Sequence, residues 1–184
     1  MTRVYVDRPA LERFLAEVAA GFDRPGRIYL LGETSQVFEG WRERTSRLEY
    51  AAEVLPKDRA ALAETSRAVQ AQMGIEAREE APGDVIPLPD GYRARARPAR
   101  RYASLEVYHF DPHSVAFRLI ARGDEPDYQT VLEYLQRGWL TAESLQAMLT
   151  AVLPRFTNET IQQDPAEFRR KFKGLLQMWQ AAGE

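Results

Sequence analysis

The chain has 184 residues, a formal net charge of −2 and no cysteine, which excludes disulfide frameworks, zinc–thiolate sites and cysteine nucleophiles. A protein so close to neutral does not bind polyanions through its overall charge, so a nucleic-acid contact would need a local basic patch. No apolar run approaches the ~18 residues of a membrane span, and residues 1–9 lack the apolar core of a signal peptide. We therefore expect a cytoplasmic protein that contacts no membrane.

Helix and strand patterns alternate in the first half of the chain. Apolar residues at helical spacing, preceded by Asp7 as a cap, predict a first helix that ends near Gly21. In chain order, the next predicted elements are a buried strand over 27–31, a short helix over 36–40, a strand over 47–54, a helix over 58–73, an edge strand over 75–81, a proline- and arginine-rich loop over 84–102 and a strand over 104–110.

Only helices are predicted after residue 110. A capping side chain or an early proline marks each start, and four helices follow: from Asp111 to Arg122, from Pro126 to Gly138, from Thr141 to Pro154, and from Asp164 onward. We therefore expect an α+β fold, with a small mixed sheet flanked by helices over 1–110. A C-terminal helical bundle over 111–184 is expected to pack on this α/β core as one structural unit.

The turn after the first strand, Gly32-Glu33-Thr34-Ser35, is the first candidate for a functional site. A strand that passes through glycine into a helix N-terminus presents free backbone N–H groups, which suit a phosphate together with the helix dipole. Thr34 and Ser35 add hydroxyl donors. The alternative interpretation is structural: Gly32 makes a tight turn, and a hydroxyl caps the helix.

Several later motifs follow this turn in a fixed order. Gly40-Trp41-Arg42 and Arg44-Thr45 precede the second strand, 86–93 is rich in proline, and 111–123 begins with Asp-Pro and ends with Arg-Gly. This order, from about Ile28 to Leu149, resembles the minimal nucleotidyltransferases of the DNA polymerase β superfamily. It is most similar to the bacterial abortive-infection (AbiEii-like) toxins, in which an Arg-Thr-x-Asp-x-Asp motif opens the second strand.

The resemblance implies a nucleotidyltransferase-like fold with a Mg²⁺-dependent site. Two Mg²⁺ ions bridge the triphosphate in such enzymes, and carboxylates at positions i and i+2 of a strand hold them from one face. The residues implied to bind the nucleotide are Gly32, Thr34, Ser35, Arg44, Arg47 and Arg118. The implied metal ligand is Glu49, with Glu106 as a second catalytic carboxylate.

The sequence departs from the family at the first metal position, which is Arg47. An arginine cannot ligate a metal, and Glu49, at the second position, has a longer side chain than the family's aspartate. One interpretation is that Arg47 and Glu49 form an ion pair on the face of the sheet. The other is that they mark a metal site that further carboxylates complete: Glu106, Glu33 or Glu53.

Five arginines lie within nine residues: Arg93, Arg95, Arg97, Arg100 and Arg101. Guanidinium groups bind phosphates through two parallel hydrogen bonds. If this segment lies beside Gly32, we expect Arg93, Arg95 and Arg97 to contact a nucleoside triphosphate or an RNA backbone. The alternative is a solvated loop that balances the acidic residues between 76 and 84. The nearby His109, Asp111 and His113 are interpreted as a strand end and a helix cap.

Two functional hypotheses follow from the resemblance. In the first, the chain is a catalytically degenerate nucleotidyltransferase-fold protein that binds a nucleotide, an RNA or a protein partner. In the second, it is an active transferase that moves a nucleoside monophosphate onto a hydroxyl of RNA or protein, as part of a toxin–antitoxin or phage-defence system. An exposed remnant of the large apolar residues in the helical half, such as Trp139 and Trp179, would suit a homodimer or a protein partner.

Overall fold

The structure is a computed structural model that describes residues 4–156 and 163–183. The strands of the described chain are β1 (Val6–Asp7), β2 (Gly26–Leu30), β3 (Arg44–Thr45), β4 (Leu48–Glu53), β5 (Ala77–Glu79), β6 (Arg97–Tyr102) and β7 (Leu105–His109). The α-helices are α1 (Arg8–Phe22), α2 (Glu33–Glu39), α3 (Arg59–Met73), α4 (Tyr92–Arg95), α5 (Pro112–Arg122), α6 (Glu125–Gln136), α7 (Ala142–Val152) and α8 (Pro165–Ala182).

The chain divides into two compact units. The first comprises Met1–Glu80 with Arg97–Phe110, and the second comprises Ala81–Ala96 with Asp111–Glu184. The segment Ala81–Ala96, which a sequence-based division at residue 110 assigns to the first region, therefore belongs to the second unit. None of the described helices combines the length and the apolar character that a membrane span needs.

The first unit is built on a mixed five-stranded sheet with the order β5-β4-β2-β7-β6. Strand β2 runs antiparallel to β4 and parallel to β7, while β4 is parallel to β5. Helices flank the sheet, and the C-terminal part of the chain is helical. The expected α+β class is therefore confirmed, with a small mixed sheet and a C-terminal helical region.

One face of the sheet forms the core of the first unit. Residues at every second position point to the same face of a strand, and those facing the core are Ile28, Leu30, Leu48, Tyr50, Leu105 and Val107. The apolar stripes of α1 and α3 cover this face. Asp7 caps α1 by accepting a hydrogen bond from the Ala10 N–H at 3.0 Å, as the sequence predicts.

The prediction of a loop over 84–102 is wrong, because this segment contains the helix α4 and the strand β6. Strand β6 pairs only with β7, so it is an edge strand of the sheet. Arginines are tolerated there because the outer side of an edge strand meets solvent. Proline is tolerated for the same reason, because no neighbouring strand needs its missing N–H. The pairing is irregular between Pro98 and Arg100, which marks a β-bulge.

In the second unit, capping side chains define the helix starts that the sequence predicts. Asp111, Thr141 and Asp164 each accept a hydrogen bond from a backbone N–H in the first turn of α5, α7 and α8. The ring of Phe117 on α5 packs against two rings of α8, with centroids 5.9 Å from Phe168 and 6.2 Å from Phe172. These aromatic contacts join α5 and α8 in the core of the second unit.

Candidate functional site

The glycine turn and Glu49 lie side by side at the end of β2. The Leu31 N–H donates to the Glu49 carbonyl at 3.1 Å, and the Glu49 N–H donates to Thr34 Oγ1 at 2.8 Å. Gly32 has φ 54° and ψ −122°, a conformation that a side chain would strain. Of the site residues implied by the family resemblance, the glycine turn and Glu49 therefore meet here.

The helix that follows begins earlier than the sequence predicts. Helix α2 starts at Glu33 rather than at residue 36, so Thr34 and Ser35 lie inside its first turn. Its N-cap, Gly32, has no side chain, and neither hydroxyl caps the helix. The expected structural alternative, in which a hydroxyl is the cap, is therefore wrong.

The two hydroxyl groups of this turn are used inside the protein. Thr34 and Ser35 are each 1% exposed. The Thr34 hydroxyl accepts from Glu49 at 2.8 Å, and the Ser35 hydroxyl lies 3.1 Å from the Leu30 carbonyl oxygen and 2.9 Å from His109 Nδ1. Because both hydroxyl groups are buried and bonded to other groups of the protein, neither is placed to bind a phosphate.

A network of polar side chains, buried at Ser35 and His109 and open to solvent at Glu39, links α2 to β7. The ring Nε2 lies 2.7 Å from Glu39 Oε1, on the side opposite Ser35. Burial lowers the pKa of His109, against the opposing effect of Glu39, which favours a neutral ring. The Ser35 hydroxyl donates its hydrogen to the Leu30 carbonyl. The order hydroxyl, imidazole and carboxylate is that of an activated serine, but Ser35 is buried away from solvent. We infer that these three side chains support the structure of the turn.

Arg47 and Glu49 form the ion pair that the sequence allows. Arg47 Nη2 lies 3.1 Å from Glu49 Oε1, and Arg47 Nη1 lies 3.6 Å from Glu76 Oε1. The hydrogen bond to Glu49 raises the pKa of Arg47. A guanidinium therefore holds the carboxylate that would have to ligate Mg²⁺, and it would repel a divalent cation.

Glu106 does not join Glu49, which corrects its assignment as a helping carboxylate. It lies opposite Arg27 of β2 and pairs with that arginine at 3.2 Å. Glu49 is level with Leu31, which lies four residues beyond Arg27, and β4 is two strand spacings away from β7. The Cα atoms of Glu49 and Glu106 are therefore roughly 16 Å apart. Two catalytic Mg²⁺ ions are only ~4 Å apart.

The chemistry of this end of the sheet does not fit Mg²⁺. Within residues 4–156 and 163–183, no three His, Cys, Asp or Glu side chains form a group that could hold a metal ion. Glu33, another candidate ligand, accepts a hydrogen bond from the Thr45 hydroxyl at 2.7 Å and lies 3.3 Å from Arg42. Each carboxylate near the turn is thus held by a donor of the protein.

Arg44 is placed differently from the other arginines of this region. It lies in β3, which pairs with β1, and its guanidinium stacks 4.5 Å from the ring centroid of Tyr5. Arg44 is exposed, and Tyr5 is 48% exposed. No acidic side chain in the described part of the chain pairs with Arg44. This Tyr5–Arg44 pair therefore offers an aromatic face and a cation to solvent.

The arginines of the predicted loop lie in different elements, α4 and β6. Arg95 binds both carboxylate oxygens of Asp111, at 3.0 and 2.8 Å, so its guanidinium is engaged in the second unit. Arg93 stacks on Tyr92 in the same unit, whereas Arg97 belongs to β6 of the first unit. The expected contact of Arg93, Arg95 and Arg97 with a nucleoside triphosphate or an RNA backbone stays a prediction.

Arg118, the last implied nucleotide-binding residue, lies on α5 and is 6% exposed. It belongs to the second unit. The sequence analysis missed Tyr5 and Glu39. Neither stands in a recognisable motif, because Tyr5 is brought to Arg44 by strand pairing and Glu39 reaches His109 across 70 residues.

Comparisons with known protein families, with curated proteins and with solved structures found no match for this chain.

Proposed function

We propose that this protein binds a nucleotide or a single RNA strand without metal-dependent transfer chemistry. One observation chiefly supports the proposal: Arg47 pairs with Glu49 at 3.1 Å, at the position where the resembled family carries two aspartates. A site whose carboxylate is already neutralised by a fixed cation has no charge left for Mg²⁺. It can still lie beside a ligand that carries phosphate.

The Tyr5–Arg44 pair supports the choice of ligand. A base can stack on an exposed aromatic ring, and an arginine beside it can hold the phosphate. Base–aromatic stacking contributes ~1–3 kcal/mol per base and tolerates every base.

The test measures binding of ATP and UTP by calorimetry, and of a labelled oligouridylate by fluorescence anisotropy, each with and without MgCl₂. We expect binding in both conditions, weakened roughly tenfold in Tyr5→Ala, as the loss of one stacked base predicts. Arg44→Ala should weaken the oligonucleotide more than the mononucleotide. Arg13→Ala removes an arginine that is 59% exposed on α1 and serves as the matched control.

Two results would overturn the proposal. Binding that needs Mg²⁺ and is lost in Glu49→Gln would favour the active transferase instead. The absence of binding to every probe at millimolar ligand would remove the nucleic-acid function altogether.

A further inference from the structure

A cavity lies within the helical unit, lined by residues of α7, α8 and the turn between them. It has a volume of about 400 Å³ and is formed by α7, the 3₁₀ turn Leu153–Arg155 and α8. Its floor is apolar, with Leu149 and Phe172 only 3% and 2% exposed. The apolar lining also includes Leu153, Pro154 and Leu176. Pockets for small molecules typically have volumes of ~300–1,000 Å³ and mostly apolar linings.

Two cations line this cavity. Arg169 and Lys173 are four residues apart on α8, so they lie on the same face of the helix, one turn from each other. Both residues are exposed. No acidic side chain in the described ranges 4–156 and 163–183 pairs with either of them. Their charge is therefore available to a ligand.

The neighbouring basic residues of α8 behave differently. Arg170 and Lys171 both pair with Glu167, at 4.0 and 3.5 Å, and Lys171 also donates to the Ala121 carbonyl at 2.8 Å. The two basic residues that face away from the cavity thus have protein partners. The two that line it have no acidic partner among the described residues.

We propose that this cavity binds a small amphiphilic anion, an aliphatic chain that ends in a carboxylate. The chain would lie on Leu149 and Phe172, where burial removes its apolar surface from water. The carboxylate would lie between Arg169 and Lys173, which both donate charge-assisted hydrogen bonds. A nucleotide does not fit these features, because its polar sugar would lie on the apolar floor.

The experiment titrates the full chain with octanoate, 1-octanol and acetate by calorimetry, at low and high salt. We expect octanoate to bind about tenfold more tightly than 1-octanol, as two solvent-exposed ion pairs predict. Acetate should not bind. Added salt should weaken octanoate alone, because only its contact is ionic. Amide NMR signals of 146–154 and 168–176 should shift on binding.

The variant Arg169→Gln/Lys173→Gln should reduce octanoate binding to the level of 1-octanol. The control Lys57→Gln/Arg170→Gln makes the same change in net charge at two exposed positions that do not line the cavity, and it should leave binding unchanged. All four residues are exposed, so unfolding temperatures should match the wild type. Four results would each overturn the proposal. They are equal affinity for octanoate and 1-octanol, equal effects of the two double variants, amide shifts confined to other residues, and no binding at all.

Discussion

Among the described residues, Asp111 has the carboxylate that accepts the most hydrogen bonds, and its side chain is fully buried. It accepts from Arg95 Nε and Nη2, from the backbone N–H groups of His113 and Ser114, and from the Ser114 hydroxyl at 2.7 Å. Burial alone would raise the pKa of Asp111, but the hydrogen bonds from His113, Arg95 and Ser114 outweigh it and lower the pKa to about 2. The carboxylate thus joins α4 to the start of α5.

The lowered pKa of Asp111 makes stability depend on acid. Because the folded-state pKa is below the ordinary value of 3.8, the stabilisation is complete above pH ~4 and is lost as the pH falls through about 2. The difference corresponds to about 2.5 kcal/mol. Asp111→Asn should therefore lower the free energy of unfolding at pH 7 by about 2–3 kcal/mol and flatten its pH dependence in this window.

Denaturant unfolding at a series of pH values measures both effects of Asp111→Asn. The control is Asp124→Asn at the N-cap of α6, where the side chain makes no capping hydrogen bond. An unchanged acid transition in Asp111→Asn would contradict the prediction.

Replacing Arg47 tests why the metal chemistry is absent. Arg47→Asp places a second carboxylate two residues before Glu49, at the position from which Arg47 Nη2 now lies 3.1 Å from Glu49 Oε1. We expect the free energy of unfolding to fall by ~1 kcal/mol without metal, since an attractive pair becomes repulsive, and to recover when Mg²⁺ is added. Thermal unfolding with and without MgCl₂ measures this. A wild type that responds to Mg²⁺ as strongly as the variant would show that Arg47 does not exclude the ion.

At the scale of elements, α1 and α3 meet so closely that one position must be glycine. A Cβ atom at Gly21 would lie 2.8 Å from Thr65 Cγ2. That methyl group cannot easily move, because β-branched side chains are stiff and the Thr65 hydroxyl donates to the Ala61 carbonyl at 2.9 Å. Gly21 therefore sets the distance between the two helices.

Gly21→Ala should destabilise the protein by ~1–2 kcal/mol, as overpacking does, although alanine normally favours a helix by ~1 kcal/mol over glycine. Thr65→Ser removes the methyl group and keeps the hydroxyl. In that background Gly21→Ala should become stabilising, and a double-mutant cycle by urea unfolding measures the coupling. Additive effects would mean that Thr65 is not the obstacle.

The sequence predicts most elements of this fold because their signals are local. Asp7, Asp111 and Thr141 cap the helices where expected, and the apolar periodicity of α1 and α8 marks their buried faces. Strand β6 escaped prediction because an edge strand is specified by its partner. Its arginines and Pro98 show no alternation, and only the pairing with β7 makes the segment a strand.

The candidate site is less predictable than the fold. The ion pair of Arg47 and Glu49 is predictable, since the two residues are only two apart in sequence, although Arg47 itself lies just before β4. The burial of Ser35 depends on His109, which lies 74 residues away in sequence. No local pattern reports such a contact. The same is true of the stacking between Tyr5 and Arg44.

At the scale of the whole molecule, the two units should respond to acid in different pH ranges. Burial lowers the pKa of His109 in the first unit below its ordinary value of 6.5. The unfolded chain therefore takes up a proton first, and stability is lost as the pH falls below 6.5, by at most ~1.4 kcal/mol per pH unit. Asp111 affects the second unit only below pH ~4.

Amide hydrogen exchange, corrected for the intrinsic effect of pH, can separate these responses. Between pH 6.5 and 5, protection should fall for β2, α2 and β7 and stay constant for α5 and α8. His109→Gln should remove the change in the first unit. Equal loss of protection in both units over this range would be inconsistent with separate titrating groups.

The edge formed by β6 limits how copies of this chain can associate. A neighbour adding a strand there would find no N–H at Pro98, a bent backbone at the bulge, and the like charges of Arg97, Arg100 and Arg101. Copies of this chain at high concentration would therefore not extend the sheet by pairing strands at β6. A homodimer would have to use the other edge of the sheet, at β5, or a helical or loop surface, because its subunits would not share hydrogen bonds across β6.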